Sequence, residues 1–254
     1  MNRVQDKVAI VTGGAGGIGS ATGQLLCEEG ALLALVEVNA EALQDARERI
    51  RALVPDARVM AIVGDVSSEG EAQRVVAEVA AHYGRVDILV NNAGLREYWR
   101  LADAPASSWE RILAVNLLSY AHMAKAAIPH LRRAGRGAIV NISSTYGVTG
   151  GVGMGQYDAT KAAILALTRT LAFEEVQHGI RVNAVCPGAT LTPFHVKRLQ
   201  QSDSAILGEK LQDCLMQRWG NPREIAHPIV FLASDEASYI TATTLMADGG
   251  RPVM

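Results

Sequence analysis

Along the chain, short runs of consecutive apolar and β-branched residues alternate with longer stretches whose apolar positions recur every three or four residues. The runs are "KVAIVTGG", "ALLALVEV", "ARVMAIVGD", "VDILVNNAG", "GAIVNISS" and "IRVNAVCPG", and helical spacing fills 17–30, 40–53, 68–83, 107–133 and 156–177 between them. Strands covered on both faces are apolar throughout rather than alternating. Strand and helix in this rhythm predict an α/β fold, a parallel sheet with helices on both faces. Gly30 and Gly84 stand where helices should stop, and the Ser67/Ser68 pair where one should start.

No Pro/Gly/Ser-rich stretch divides the sequence, so residues 1–254 are expected to form one domain. After the sixth run comes a polar helical stretch, 189–218, at the point where a sheet of this kind opens its ligand crevice. It is the expected substrate lid.

Composition narrows the class. Of 254 residues 49% are hydrophobic and 20% charged, the net charge is -2, and the two signs are interspersed. That profile suits a soluble globular protein and gives no reason to expect a nucleic-acid or membrane partner. No run approaches the roughly 18 apolar residues of a membrane span. Cys27, Cys186 and Cys214 form no CxxC pair and leave one thiol unmatched, as in a reduced, cytoplasmic chain. The six histidines are dispersed, with neither HExxH nor a Cys/His cluster, so no metal site is expected and they read as surface residues.

The first run opens directly into "VTGGAGGIGSA". Glycines there permit a tight turn and let the N–H groups of a helix N-terminus approach a pyrophosphate, whose charge the helix dipole favours. Gly14, Gly16 and Gly19 satisfy GxGxxG; Thr12, Gly13, Gly17 and Gly19 satisfy TGxxxGxG. No Lys-Ser or Lys-Thr follows, which argues against a nucleoside triphosphate loop. Glu37 ends the second run 18 residues after Gly19, near the spacing at which an acid meets a dinucleotide's ribose. A carboxylate accepts from ribose hydroxyls and repels a 2′-phosphate, so NAD is favoured over NADP.

Jointly these motifs resemble those of the classical short-chain dehydrogenase/reductase family. The likeness runs through TGGAGGIG at 12–19, Asp65-Val66, NNAG at 91–94, VNL at 115–117, NISS at 141–144, YDATK at 157–161, and RVNAVCPGATLT at 181–192. It continues through ASDEASYITATTLMADGG at 233–250. The resemblance implies a Rossmann-type doubly wound domain, a nicotinamide cofactor, reversible hydride transfer between an alcohol and a ketone, and a homotetramer or homodimer. By position it assigns Asn116, Ser144, Tyr157 and Lys161 to catalysis. To the cofactor it assigns Thr12, Gly13, Gly17, Ile18, Gly19, Glu37, Asp65, Val66, Asn92, Ala93, Gly94, Pro187, Gly188, Thr190 and Thr192, together with Tyr157 and Lys161. Thr160 stands where the family usually has Ser, Glu37 where Asp is commoner, and Ala242 where Gly is frequent.

The chemistry asks for these residue types. Oxidising a secondary alcohol needs a base near neutrality and a neutral donor to the oxygen. Free tyrosine, with a pKa of about 10, is a poor base at pH 7. Lys161 follows Tyr157 by one helical turn, and an ammonium about 4 Å from a phenolate contributes about 4 kcal/mol at an effective dielectric near 20, before desolvation opposes it. Ser144, thirteen residues before Tyr157, can donate to the substrate oxygen, and Asn116 can position a water that relays the proton from Lys161. Taken singly, Ser144 reads as a strand-end hydroxyl, Asn116 as a buried amide, and the Tyr/Lys spacing as an exposed helical pair. Their conjunction with the glycine turn carries the reading.

Substrate contacts are expected from Arg96, Tyr98 and Trp99 after the NNAG turn, from Phe194, His195, Lys197 and Arg198 in the lid, and from Tyr146 and Met154 in the glycine-rich loop. Arg96 or the lid cations would recognise an anionic or polar group. Two further readings stand beside the NAD-dependent alcohol dehydrogenase: a 3-oxoacyl carrier-protein reductase using NADPH, against which Glu37 argues, and a non-catalytic NAD(P)-sensing regulator, which would not need the proton-transfer residues.

Overall fold

In a computed structural model, which describes residues 2–193, 195–196 and 213–251, the apolar runs form one parallel sheet. Its strands are β1 (Val8–Thr12), β2 (Leu32–Glu37), β3 (Val59–Val63), β4 (Ile88–Asn91), β5 (Gly137–Ile142), β6 (Ile180–Pro187) and β7 (Thr244–Ala247). They lie in the order β3-β2-β1-β4-β5-β6-β7. Ile10 of β1 aligns with Ala34 on one side and Leu89 on the other, so the winding reverses between β1 and β4. Ligands bind at the carboxyl ends of strands beside such a reversal.

Helices α1 (Gly17–Glu28) and α2 (Ala40–Leu53) cover one face, where Leu25, Leu26, Leu43 and Ile50 pack against Leu33, Leu35 and Val90. On the other face lie α3 (Glu69–Tyr83), α5 (Ser119–Ala134) and α6 (Gly155–Glu175), whose Val75, Val79, Met123, Leu131 and Leu171 meet Ile10, Val36, Leu89 and Ile139. Gly84 ends α3 at φ 79°, a left-handed position glycine takes without steric cost. Arg132 of α5 reaches the buried Glu175 of α6 through two hydrogen bonds of 2.8 and 2.6 Å.

The 107–133 stretch is one helical path with a defect. Helix α4 (Ala106–Leu113) passes into a π-helical turn, Ala114–Leu118, before α5 begins. Such single-turn widenings recur at functional sites, and this one carries Asn116.

The helical reading above lacks α7 (Pro222–Ala233), which packs on the α1 face through Ile225 and Ile229. Its start is written locally: Asn221 caps it, Glu224 completes the capping box, and Pro222 occupies the first turn. Arg181 of β6 donates to the Leu232 and Ser234 carbonyls at its other end. The expected lid falls largely on 194 and 197–212, outside the described residues, as do Phe194, Lys197 and Arg198.

Candidate active site

The turn after β1 is held against the NNAG segment. The Thr12 hydroxyl accepts from Asn92 N and Ala93 N at 3.0 and 3.1 Å, and Asn92 Nδ2 donates to the Thr12 and Gly13 carbonyls, both at 3.0 Å. Gly13 takes φ +61°. A Cβ on Gly19 would lie 2.2 Å from the Gly13 carbonyl oxygen, and one on Gly17 2.9 Å from Thr192 and Pro193. Bare backbone is therefore obligatory on both sides of the turn. No side chain caps α1 at Gly16 and no acid occupies its first turn, so its leading N–H groups are left for an anion. Ile18 packs beneath them on the core.

Glu37 stands at the carboxyl end of β2, its Oε1 accepting from Val38 N at 2.9 Å. Asp65 accepts from Ser67 and fixes the turn that buries Val66. Beyond β6, where Pro187 ends the strand, Gly188 N bonds the Ala247 carbonyl, the buried Thr190 donates to the Gly188 carbonyl, and Thr192 faces Gly17 of the glycine turn. The bare turn and uncapped helix end suit a pyrophosphate, and the strand-end carboxylate can accept from ribose hydroxyls.

Catalytic candidates gather at the same edge. Ser144 follows β5, and its Oγ accepts from Tyr146 N at 3.1 Å, leaving the hydroxyl proton free to donate. Tyr157 and Lys161 lie on α6, both buried. The Lys161 ammonium donates to the Ile142 carbonyl at 2.8 Å and sits 5.5 and 5.6 Å from the ring centroids of Tyr120 and Tyr157. Two of its three donors remain available. Its described hydrogen bond is thus to the backbone of β5 and not to the Tyr157 hydroxyl.

The cation in contact with that hydroxyl is Arg96. Its Nη2 lies 3.4 Å from Tyr157 Oη, and its guanidinium carbon 4.7 Å from the ring centroid. On the other side Arg96 Nη1 meets His195 Nε2 at 3.3 Å. Because arginine only donates, that nitrogen is the acceptor, and His195 Nδ1–H points to Thr192 Oγ1 at 2.9 Å. His195 is therefore a cleft residue rather than a surface one. Tyr146 meets Tyr157 edge to face at 6.4 Å, and Met154 packs with Tyr157 and Ile112. The exposed Trp99 pairs with the Met154 backbone, and Arg96 reaches the Tyr98 hydroxyl. Arg251, absent from the sequence reading, stacks on Tyr146 at 4.7 Å. No local signal marks it, since its partner lies 105 positions away.

Asn116 is fully buried. Its Oδ1 accepts from Leu95 N at 2.8 Å, and its Nδ2 donates to the Leu95 carbonyl and Thr160 Oγ1 at 2.9 and 3.3 Å. The π-turn thus pins the segment that carries Arg96. A Cβ on Gly94 would stand 3.5 Å from Asn116 Oδ1 and 3.6 Å from Lys161 Nζ, so both atoms border one point that glycine leaves open.

Burial, with the charge of Arg96 adding to it, pushes the Lys161 amine down to about 7. Unfolded, the amine holds its proton to about 10.5. Between these values the unfolded chain binds more protons, so this group makes stability rise with pH from about 7 upward. Lys161→Met should remove that rise. The melting temperature of the wild type relative to the variant should climb by roughly 5 °C from pH 7 to 9, at about 1.4 kcal/mol per pH unit. A calorimetric difference independent of pH would overturn this account.

Among the described residues no His, Cys, Asp and Glu group could hold a metal, all three cysteines are free and buried, and no helix is long and apolar enough to cross a membrane.

A doubly wound sheet with a bare glycine turn at this edge suits a dinucleotide. The chain belongs to the short-chain dehydrogenase/reductase family. A family model described as enoyl-(acyl carrier protein) reductase matches residues 13–251. The 3-oxoacyl-[acyl-carrier-protein] reductase of Thermotoga maritima is 35% identical over 248 residues, 98% of either chain. Cyclopentanol dehydrogenase of Comamonas testosteroni is 37% identical over 252 residues, again 98% of either chain. The crystal structure of levodione reductase superposes with a TM-score of 0.90 at 33% identity, covering 96% of this chain and 97% of its own.

Proposed function

We propose that the protein is an NAD-dependent dehydrogenase that interconverts a secondary alcohol and its ketone. The observation that carries this reading is the Tyr157 hydroxyl in the cleft, in contact with Arg96 and with the Lys161 ammonium beside its ring. A phenolic oxygen held there can exchange a proton with an alcohol, and Arg96 can donate to an oxygen that approaches it.

The residues fit the cofactor. Gly13, Gly17 and Gly19 with the α1 N-terminus would hold its pyrophosphate, Glu37 the adenosine ribose, and Asp65 and Val66 the adenine. Asn92, Ala93, Gly94 and Lys161 would hold the nicotinamide ribose, and Pro187, Gly188, Thr190 and Thr192 its carboxamide end. When bound, the oxidised nicotinamide supplies the hydride acceptor. Tyr157 takes the alcohol proton, and Ser144, its acceptor lone pair occupied by Tyr146 N, donates to the substrate oxygen. Thr192 accepts from His195 and so keeps its own hydroxyl hydrogen to donate. Lys161 and Asn116 flank the open point beside Gly94, where a water can carry the proton outward.

Glu37 supports NAD. Relatives include a dehydrogenase of a neutral alcohol and a reductase of acyl carrier-protein thioesters, so substrates of both kinds belong in the assay. The wild type should use NAD at least about tenfold better than NADP, and Glu37→Ser should shrink that preference, since a carboxylate facing a 2′-phosphate costs over about 1.4 kcal/mol. Faster 3-oxoacyl thioester reduction with NADPH than any alcohol oxidation with NAD would overturn the proposal. We infer a homo-oligomer from the family; a 27.0 kDa particle by light scattering would defeat that.

A further inference from the structure

We propose that Arg96 binds a carboxylate of the substrate, and that the substrate is a short hydroxy acid whose carboxylate lies a few bonds from the carbinol carbon. This rests on the dehydrogenase reading above.

Arg96 is a half-buried cation whose described partners are all neutral: the Tyr157 and Tyr98 hydroxyls and His195 Nε2. Among the described residues it forms no salt bridge with a carboxylate. Asp158, whose carboxylate feels both Arg96 and Arg251, pairs with neither; its Oδ2 accepts from Gly151 N at 2.9 Å. Arg251, the second cation of the cleft, already has Asp213 at 3.3 Å. A partly desolvated charge without a counter-ion is costly, and a guanidinium has five donors arranged to grip a carboxylate through two at once.

Position bounds the ligand's length. The carbinol oxygen must reach Tyr157 Oη, and Arg96 Nη2 stands 3.4 Å from that atom. With hydrogen bonds of about 2.8 Å to each group the two ligand oxygens lie at most about 9 Å apart, and the closeness of the two protein atoms favours a short bridge of one to three carbons. Leu95, Ile112, Tyr146 and Met154 cluster around Tyr157 and supply an apolar wall for the remaining carbons. The reaction balances in the ordinary way. The carbinol C–H bond breaks with its electron pair passing as hydride to an oxidised nicotinamide dinucleotide, the O–H proton goes to Tyr157, and C=O forms in an oxo acid.

The test compares 2- and 3-hydroxy acids of three to five carbons with their methyl esters, in the wild type, Arg96→Gln and Arg96→Lys. The wild type should prefer acid over ester in kcat/KM by at least about 100-fold. Arg96→Gln should cut that ratio at least tenfold, mostly through KM, with Arg96→Lys between because it keeps the charge and loses the fork. Butanoate, which cannot be oxidised at a carbinol, should raise the melting temperature of the wild type and not of Arg96→Gln, while butanamide shifts neither. A wild type that prefers the ester, an unchanged ratio in a folded Arg96→Gln, or a butanoate shift that survives the substitution would overturn the proposal. Should Arg96→Gln not fold, the ratio in Arg96→Lys decides. Should no acid or ester turn over while a neutral secondary alcohol such as cyclopentanol does, the substrate proposal falls and the dehydrogenase reading stands; should neither kind turn over with either dinucleotide, the dehydrogenase reading falls, and the Arg96-dependent butanoate shift alone decides whether the anion site stands.

Discussion

Replacing Tyr157 by phenylalanine is expected to lower kcat by about 10³-fold or more, the scale of losing a positioned acid–base group. The substitution removes one oxygen. The ring stays packed on Ile112 and Met154, and the edge-to-face contact with Tyr146 persists. Stability should therefore change by less than about 1 kcal/mol, and dinucleotide titration should give an affinity within a fewfold of the wild type. Steady-state kinetics with any alcohol that the wild type oxidises provides the measurement. A variant that keeps a tenth of the wild-type kcat would remove Tyr157 from the proton path.

Gly19→Ala should be the most damaging single methyl group in the cofactor turn. Its Cβ would lie 2.2 Å from the Gly13 oxygen and 2.7 Å from Asn92 Nδ2, so the turn or the Asn92 clamp must move. Overpacking of this kind costs about 1–3 kcal/mol, a loss of roughly 3–10 °C in a chain of this size. Moving the α1 N-terminus should weaken dinucleotide binding by more than about 100-fold, because donors act only where they are aimed. Gly16→Ala is the control. Its Cβ would meet only the Gly13 oxygen, at 3.3 Å, at an extended φ of -67° that alanine adopts freely. Calorimetry and fluorescence titration of the two variants should rank them far apart; equal affinities would mean that the close packing at Gly19 does not shape the binding site.

Much of the fold was legible because its central strands are buried on both faces and read as largely apolar runs, with Val8–Thr12 buried at every position. The parallel sheet with helices on both faces followed from that rhythm, while its doubly wound order was what the family resemblance implied. Helix α7 was missed although Asn221, Pro222 and Glu224 spell out its start; attention to capping would have found it. The π-turn at 114–118 was not legible, since it is set by what Asn116 bonds across to Leu95 rather than by local spacing. At the site, Ser144, Tyr157 and Lys161 were pointed to by the family resemblance, with their spacing as a lesser clue. Which cation meets the phenol could not. The four-residue interval suggested Lys161, while the structure directs its ammonium to Ile142 and brings Arg96 to the hydroxyl across 61 positions. Helical periodicity predicts neighbours on one element, and contacts between elements depend on packing that a single sequence does not print.

The clamp between Thr12 and Asn92 joins residues 80 apart across the seam where β1 meets β4. Strand β1 can pair with β2 early in synthesis, but β4 must wait for α2, β3 and α3, and such distant parallel pairings form slowly. The cofactor seat is therefore completed by the joining of two halves, and neither half contains it. In a refolding experiment, secondary structure should return before nucleotide fluorescence does. A bound dinucleotide then acts as a reporter of finished topology, withholding its signal from every partly assembled chain.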